Sequence, residues 1–436
     1  MHQWFEVNFD GLVGPTYTFS GLSYGNIASL KHKDEPASPR EAAHQALDKM
    51  HFLSRLGIKQ AVLPPHERPH MPTLKRLGYT GSDAGILAEA EEPLLVSCSS
   101  ASSMWAANSV TTAPSLDAMD GKAHITPANL SRNFHRSLEA SQTRRVMEVI
   151  FSNADLFSVH TPLPGEYPFS DEGAANHTRF CQSFDETGFH LFVYGRTAWR
   201  ADKALPKKYP SRQTLEGSRA VARLNRLNPD LTMFVQQSPE AIDAGVFHND
   251  VISTGNQDFF LYHEKAFVDT DKAVSKLKEK IMNIMGWELK TVKIPDKELS
   301  LKDAVGSYLF NSQIVTKDDG SMIVIAPEEC RGVAQDLLPG MEIVFADLKQ
   351  SMRNGGGPAC LRARFVLSQK EVESIKPNVF LNDELYLKLK DWIDRHYRDR
   401  LMPSDLADPD LLKESREALN ELSGLLKLGT IYDFQR

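Results

Sequence analysis

The stretch Asn354-Gly355-Gly356-Gly357-Pro358-Ala359-Cys360 sets three glycines and a proline just ahead of one of the chain's four cysteines. It admits three readings: a phosphate loop, a plain tight turn, or a loop that presents a nucleophilic thiol. A Walker-type phosphate loop needs Gly-Lys-Ser/Thr after its glycines and then a helix. Here Pro-Ala-Cys follows, and then Leu-Arg-Ala-Arg-Phe-Val-Leu, which alternates like a strand. A tight turn needs one or two glycines, whereas three in a row let the backbone come close to a bound ligand. Cys360 would then stand where the loop enters a strand, and a thiol there needs a base or a cation nearby to act as a nucleophile.

Two other stretches offer such partners. Phe247-His248-Asn249-Asp250 lies in a strand-like run, where a period of two puts His248 and Asp250 on one face. The plainer alternative is a histidine at a strand end beside a surface aspartate. In Ser170-Asp171-Glu172-Gly173-Ala174-Ala175-Asn176-His177 small residues crowd a pair of carboxylates. The alternative there is a loop in which Ser170 or Asp171 caps a helix. A cysteine protease needs Cys and His but no paired acids. Two carboxylates around a thiol instead suit a planar cation with several N–H donors, which is a guanidinium. The carboxylates would hold its nitrogens, the thiolate would attack its central carbon, and the histidine would protonate the departing amine and then activate water. His66-Glu67-Arg68-Pro69-His70 matches the zinc-protease pattern H-E-x-x-H, but that chemistry needs both histidines on one helical face. Pro64, Pro65, Pro69 and Pro72 break any helix there, so the segment is expected to be an extended loop without zinc.

The elements that must position these groups alternate along the whole chain. Ser38-Pro39-Arg40-Glu41 reads as a helix start with Pro at the first helical position, and Gly57 as its stop. Further helices are expected over 139–151, 213–227, 269–285, 383–398 and 409–427, with a short one from Ser238-Pro239 to near Gly245. Strands are expected over 4–9, 94–98, 191–194, 232–236, 246–252, 259–263, 308–315, 321–326, 342–345 and 360–367. Asp319-Gly320 reads as a hairpin turn. Hairpins beside helices point to mixed sheets in an α/β fold. At ~150 residues per domain, the length of 436 would give about three domains. No linker divides the chain, however, and several strands run into polar loops, so one compact domain of small α/β units over 1–436 is the expectation.

Hydrophobic residues make up 41% and the net charge is −7, with no block of Lys or Arg, which argues against nucleic acid as a partner. The N-terminus lacks a basic segment followed by an apolar one, and no apolar run reaches ~18 residues, so neither a signal peptide nor a membrane span is expected. Cys98, Cys181, Cys330 and Cys360 form no C-x-x-C pair, which suits a reducing cytosol.

The motifs Glu6-Val-Asn-Phe-Asp-Gly-Leu-Val-Gly14, Ser20-Gly-Leu-Ser-Tyr-Gly-Asn26, Phe134-His-Arg-Ser137, Asp171-Glu-Gly-Ala-Ala-Asn-His177, Val246-Phe-His-Asn-Asp-Val251 and Asn354-Gly-Gly-Gly-Pro-Ala-Cys360 closely resemble the N-succinylarginine dihydrolase family, in the same order and across the whole chain. The resemblance implies a five-bladed α/β propeller (pentein fold) of ββαβ units around a central site. It implies hydrolysis of N2-succinyl-L-arginine, with two waters, to N2-succinyl-L-ornithine, two ammonia and CO2 in arginine catabolism. It implies no metal or organic cofactor, a cytoplasmic location and a homodimer as the default assembly. Cys360 would be the nucleophile, with His248 and Glu172 as acid/base and guanidinium-orienting partners. Substrate contacts would fall on Ser20, Gly21, Leu22, Ser23, Tyr24, Gly25, Asn26, Ile27, Ala28, Ser29, Asn108, His135, Arg136, Arg212, Asp250 and Asn354. Related deiminases use an Asp at the place of Asn108, and an amide that both donates and accepts would suit a guanidinium and then a neutral ureido group. The chain departs from the family at Pro15-Thr-Tyr-Thr-Phe-Ser20, where the family carries a histidine and an Ala-Gly-Leu-Ser start. Tyr17, Thr18 and Phe19 are therefore expected to change the rim of the binding loop, and Ser20 to add a hydroxyl.

Overall fold

Ser38 opens the first long helix with its side chain, which accepts from the Glu41 N–H. Pro39 costs this helix nothing, because the first-turn N–H has no partner within the helix. The helix Pro39–Arg55 ends just before Gly57, whose φ of +86° suits a residue without Cβ. Its buried face, Ala42, Ala43, Ala46, Leu47, Met50 and Leu53, recurs at helical spacing and packs on a sheet. In this computed structural model, which describes residues 3–200 and 204–436, that packing recurs around a ring.

Among the described residues, the strands assemble into five three-stranded sheets. In each sheet the first and second strands pair antiparallel, a helix follows, and the third strand lies parallel to the second on its other side. Blade two runs Val110–Ala113, Ala123–Pro127, helix Ala140–Ile150, Phe157–Val159. Blade three runs His177–Phe180, Phe189–Tyr194, helix Leu215–Leu224, Thr232–Gln236. Blade four runs Ser253–Asn256, Phe259–His263, helix Thr270–Met285, Lys290–Ile294. Blade five runs Gln313–Thr316, Met322–Pro327, helix Arg331–Leu337, Glu342–Ala346, with Gly320 at φ +82° in the hairpin. Blade one is stitched from both ends of the chain. Its middle strand Trp4–Gly11 pairs parallel with Lys59–Leu63 and antiparallel with Arg362–Ser368. The ββαβ unit therefore occurs five times, as an α/β propeller requires.

The first strands of the blades lie innermost. Arg364 of blade one donates to the carbonyls of Gly255 in blade four and Ile314 in blade five, at 3.0 Å each. Its own carbonyl accepts from Thr112 Oγ1 of blade two at 2.9 Å. Outside the ring, Asp383–His396 packs on Pro39–Arg55, and Pro409–Leu425 packs on it in turn. Trp392 is fully buried there and donates its Nε1–H to the Ala418 carbonyl. No described helix is long and apolar enough to cross a membrane.

Three strand expectations fail. Residues 94–98 belong to the helix Glu92–Cys98. Residues 246–252 are an extended pair followed by the 3-10 turn Asn249–Val251. Within 308–315, Tyr308 takes φ +55° and Leu309–Asn311 form a 3-10 turn before the strand begins at Gln313. Each run is aliphatic or aromatic enough to read as a strand but too short for periodicity to decide. The 64–70 segment is the extended loop its prolines predict.

Candidate active site

The third strand of each blade hands the chain to the next blade through a loop that ends on a tight turn, just before the next first strand. Asn108 lies two residues ahead of Val110, Asn311 two ahead of Gln313, and Cys360 two ahead of Arg362. Asp250 stands three residues ahead of Ser253, and Glu172 five ahead of His177. The propeller thus gathers five polar side chains from five blades at one end of its axis.

Their contacts are short. Cys360 Sγ lies 3.4 Å from Asp250 Oδ2 and accepts from Asn311 Nδ2 at 3.1 Å. His248 Nε2 lies 2.8 Å from Glu172 Oε2, with both side chains buried. Asn108 Nδ2 is 3.2 Å from His248 Nδ1 and donates to the Glu172 carbonyl at 3.3 Å. The same Nδ2 is 3.5 Å from His248 Nε2, so the amide lies against the imidazole ring. The Phe247 ring meets the His248 ring edge-on and lies 4.9 Å beneath the Arg212 guanidinium.

Burial dominates the titration of this cluster. It pushes the Cys360 thiol well above its usual range, and the Asp250 charge pushes it further. It also raises the Asp250 carboxyl, against the opposing charge of His248. Burial works the same way on Glu172, but the His248 hydrogen bond and charge, with Arg212 and Arg136 behind them, outweigh it and hold this carboxyl low. Burial lowers the Arg212 cation, which among the described residues has no ion-pair partner and donates one bond, Nη2 to the Tyr24 carbonyl at 3.2 Å. The site is thus a desolvated acidic floor below a desolvated guanidinium, an arrangement that suits a ligand cationic at one end and anionic at the other.

The glycine run has a specific cause. A Cβ on Gly355 would lie 2.1 Å from Asn26 Oδ1, one on Gly356 2.0 Å from Trp105 Nε1, and one on Gly357 2.6 Å from Asn311 Oδ1. Side chains from three other parts of the ring come close to this backbone. Lys49 Nζ, fully buried, donates to Asp10 Oδ2 at 2.7 Å and to the Pro358 carbonyl at 3.0 Å, tying the loop to the first helix.

A cavity of about 30 Å³ beside the floor is walled by Ser20, Gly21, Leu22, Ser23, Asn26, Ser29, His135 and Asn354. Asn354 ties it together: Nδ2 donates to the Thr18 carbonyl, Oδ1 accepts from Ser29 Oγ, and its carbonyl accepts from Asn26 Nδ2. Burial, with Arg136 and Arg212 nearby, keeps His135 well below its usual range and so neutral.

Comparison with known proteins agrees with this geometry. A family model described as succinylarginine dihydrolase matches residues 3–435. The chain belongs to the succinylarginine dihydrolase family. It is 50% identical to the N-succinylarginine dihydrolase of Pseudomonas entomophila and 49% identical to that of Aeromonas hydrophila, over 99% of each chain. Among solved structures it resembles the N-terminal domain of ArgZ, an arginine dihydrolase of the cyanobacterial ornithine–ammonia cycle, with a TM-score of 0.52 at 15% identity over 83% of this chain and 97% of that one. At that identity the likeness speaks for the fold alone, which is the pentein propeller.

Within this succinylarginine dihydrolase family fold, Cys360, His248, Glu172, Asn108 and Asp250 meet on the floor, with Arg212 stacked above. His135, Asn354 and most of residues 20–29 meet at the side. Two expectations need correction. Asp171 turns away from the floor, where Oδ1 accepts from Gln213 Nε2 and the Gly173 N–H, so the second carboxylate there is Asp250. His248 and Asp250 are brought together by a 3-10 turn instead of a strand face. Arg136 stands beside the site paired with Glu139, its Nε and Nη2 at 2.8 and 3.1 Å from the two carboxylate oxygens. Tyr17 and Thr18 line the same cavity as the 20–29 loop while Phe19 is buried behind them, and Ser20 Oγ bonds Thr18 Oγ1 at 2.7 Å. Within 20–29, Ile27 packs toward Gly245, Leu22 toward an outer core, Ala28 is half-buried, and Tyr24 is exposed with Gly25 beside Tyr209. Asn311 is the residue that reading the sequence missed. It sits inside the run taken for a strand, and its only signal is a lone Asn two residues ahead of Gln313-Ile-Val-Thr, as Asn108 is ahead of Val110.

Proposed function

We propose that this chain hydrolyses N2-succinyl-L-arginine, with two waters, to N2-succinyl-L-ornithine, two ammonia and CO2. The observation that carries the reading is the Cys360 thiol against Asp250 and Asn311, beside a buried Glu172–His248 pair, in a family member half identical to N-succinylarginine dihydrolases. The guanidinium takes the acidic floor, between Asp250 and Glu172. It sets a positive charge beside the buried Asp250 carboxyl, which burial otherwise holds up, and favours ionisation of the thiol. Arg212 takes one of the substrate's two carboxylates, and His135, Asn354 and the 20–29 loop contact its succinyl body.

The Cys360 thiolate attacks the guanidinium carbon. The C–N bond breaks as His248 protonates the departing ammonia, leaving a thiouronium adduct. Water activated by His248 adds to the adduct and expels the thiolate, giving an ureido group. In a second round the thiolate adds to the ureido carbon and another ammonia leaves. Water then releases a carbamate, which loses CO2. The reading needs no metal or organic cofactor, because thiolate, imidazole and water supply every step. It extends to one catalytic domain over 1–436 and a cytosolic homodimer. Four buried, unpaired cysteines fit a reducing compartment.

The test counts ammonia released per N2-succinylarginine consumed, with Cys360→Ala in parallel. Two equivalents, abolished by the substitution, are expected. One equivalent would make the chain a deiminase, and full turnover by Cys360→Ala would sink the covalent route.

A further inference from the structure

We propose that Asn311 is a further catalytic residue, whose side-chain amide stabilises the Cys360 thiolate both as nucleophile and as leaving group. The inference rests on the reading of Cys360 as the nucleophile. The geometry is specific. Asn311 is fully buried, and a single amide brackets the cysteine: Nδ2 donates to Sγ at 3.1 Å, while Oδ1 accepts the Cys360 N–H at 3.3 Å. Its backbone carbonyl accepts the Ala359 N–H at 2.9 Å, so the residue before the nucleophile is held as well. Nδ2 also lies 3.2 Å from the Asp250 carbonyl, which links the blade-four turn to the nucleophile loop. The backbone makes room for this amide, since a Cβ on Gly357 would intrude to 2.6 Å from Oδ1.

The chemistry needs such a donor. The thiol is buried and its nearest charged neighbour is a carboxylate, and both disfavour ionisation. Asn311 is the side chain that donates a hydrogen bond to the sulfur, and a bond to an ionised acceptor is roughly twice as strong as one to a neutral acceptor. Sulfur carries negative charge before it attacks and again when water breaks the adduct, and two rounds double the demand. The amide matters least while sulfur is bonded to carbon, so it favours the charged states over the adduct, which is differential stabilisation. Asn311 also completes the ring: Cys360, Asn108, Glu172, Asp250 and Asn311 come one from each blade, each in the turn ahead of an innermost strand.

The test is the rate of Cys360 alkylation by iodoacetamide at a fixed pH below the thiol's range, where the rate follows the thiolate fraction, read on the Cys360 peptide by mass spectrometry. Asn311→Ala is expected to slow it about tenfold or more, the loss of one charge-assisted hydrogen bond. Turnover should fall at least as far with KM little changed. Asn311→Asp preserves the shape but sets a carboxylate against the sulfur, and should slow alkylation further. A purely structural role predicts instead that this isosteric variant alkylates like the parent, and that result in a folded protein would overturn the proposal. Should either variant not fold, Gly357→Ala decides. It displaces the amide and should slow alkylation alone, and an unchanged rate would refute the role. Alkylation does not depend on turnover, so a failure of this inference is distinct from a failure of Cys360 as the nucleophile, which Cys360→Ala reports.

Discussion

Replacing Lys49 by methionine should be among the most damaging single changes in the protein. The Lys49 and Asp10 side chains are both fully buried, 2.7 Å apart. Burial lowers the Lys49 cation further than Asp10 raises it, so the lysine is a costly charge even when paired. Lys49→Met removes the partner and leaves Asp10 as an uncompensated buried anion, which costs about 3–5 kcal/mol. The Pro358 carbonyl also loses its charged donor, worth about 1.5–3 kcal/mol where geometry is good, so the upper half of the first range is expected. Asp10→Asn on that background removes the stranded charge and still accepts from Gln60 Nε2. The double variant should therefore recover at least about 2 kcal/mol. Equilibrium urea unfolding of wild type, both singles and the double gives the coupling energy. A double variant no more stable than the sum of its singles, within about 0.5 kcal/mol, would refute the reasoning, because the cost would then lie in packing and not in stranded charge.

Burial raises the Asp171 carboxyl to about 6 from an ordinary 3.8. The folded state then binds the proton more tightly than the unfolded chain, so stability falls as pH rises through about 4 to 6. Asp171→Asn should stabilise the protein by up to about 3 kcal/mol at pH 7 and by little at pH 4, measured as urea midpoints at both. Asn108→Asp replaces an amide beside His248 and the Glu172 carbonyl by a group that cannot donate, and should release closer to one ammonia than two per substrate, with the ureido product accumulating in mass spectra. Arg212→Lys loses the planar fork above Phe247 and should raise KM about tenfold or more with kcat less affected, in steady-state kinetics. Gly356→Ala drives a methyl into the Trp105 indole and should cut turnover while shifting tryptophan fluorescence; an unshifted spectrum would count against the clash.

The sequence carried the outer layer of the fold more plainly than the inner one. Helices such as Pro39–Arg55, Thr270–Met285 and Pro409–Leu425 have capping residues and one apolar stripe, because each has one buried face and one in water. Three of the innermost strands have neither signal. His177-Thr-Arg-Phe180, Val110-Thr-Thr-Ala113 and Ser253-Thr-Gly-Asn256 face the axis and each other, so polar residues occur on both faces and alternation is lost. The candidate site was legible where chemistry and spacing coincided, at Cys360 and His248. It was not legible at Asn311, because a buried asparagine looks like any turn residue until the ring brings it to the sulfur. Asp171 and Glu172 are adjacent and chemically alike, and only the backbone turn between them decides which one faces the floor.

Blade one is the only blade built from both ends of the chain, and Cys360 stands just ahead of the strand that closes it. A growing chain therefore acquires the acid side chains of the floor long before it acquires the thiol. The thiol meets them only when Arg362–Ser368 docks beside Trp4–Gly11. On the proposed mechanism assembly and chemical competence are then one event: a product cut short of Arg362–Ser368 would be inert, and no partial ring would expose an activated cysteine to the small cations around it.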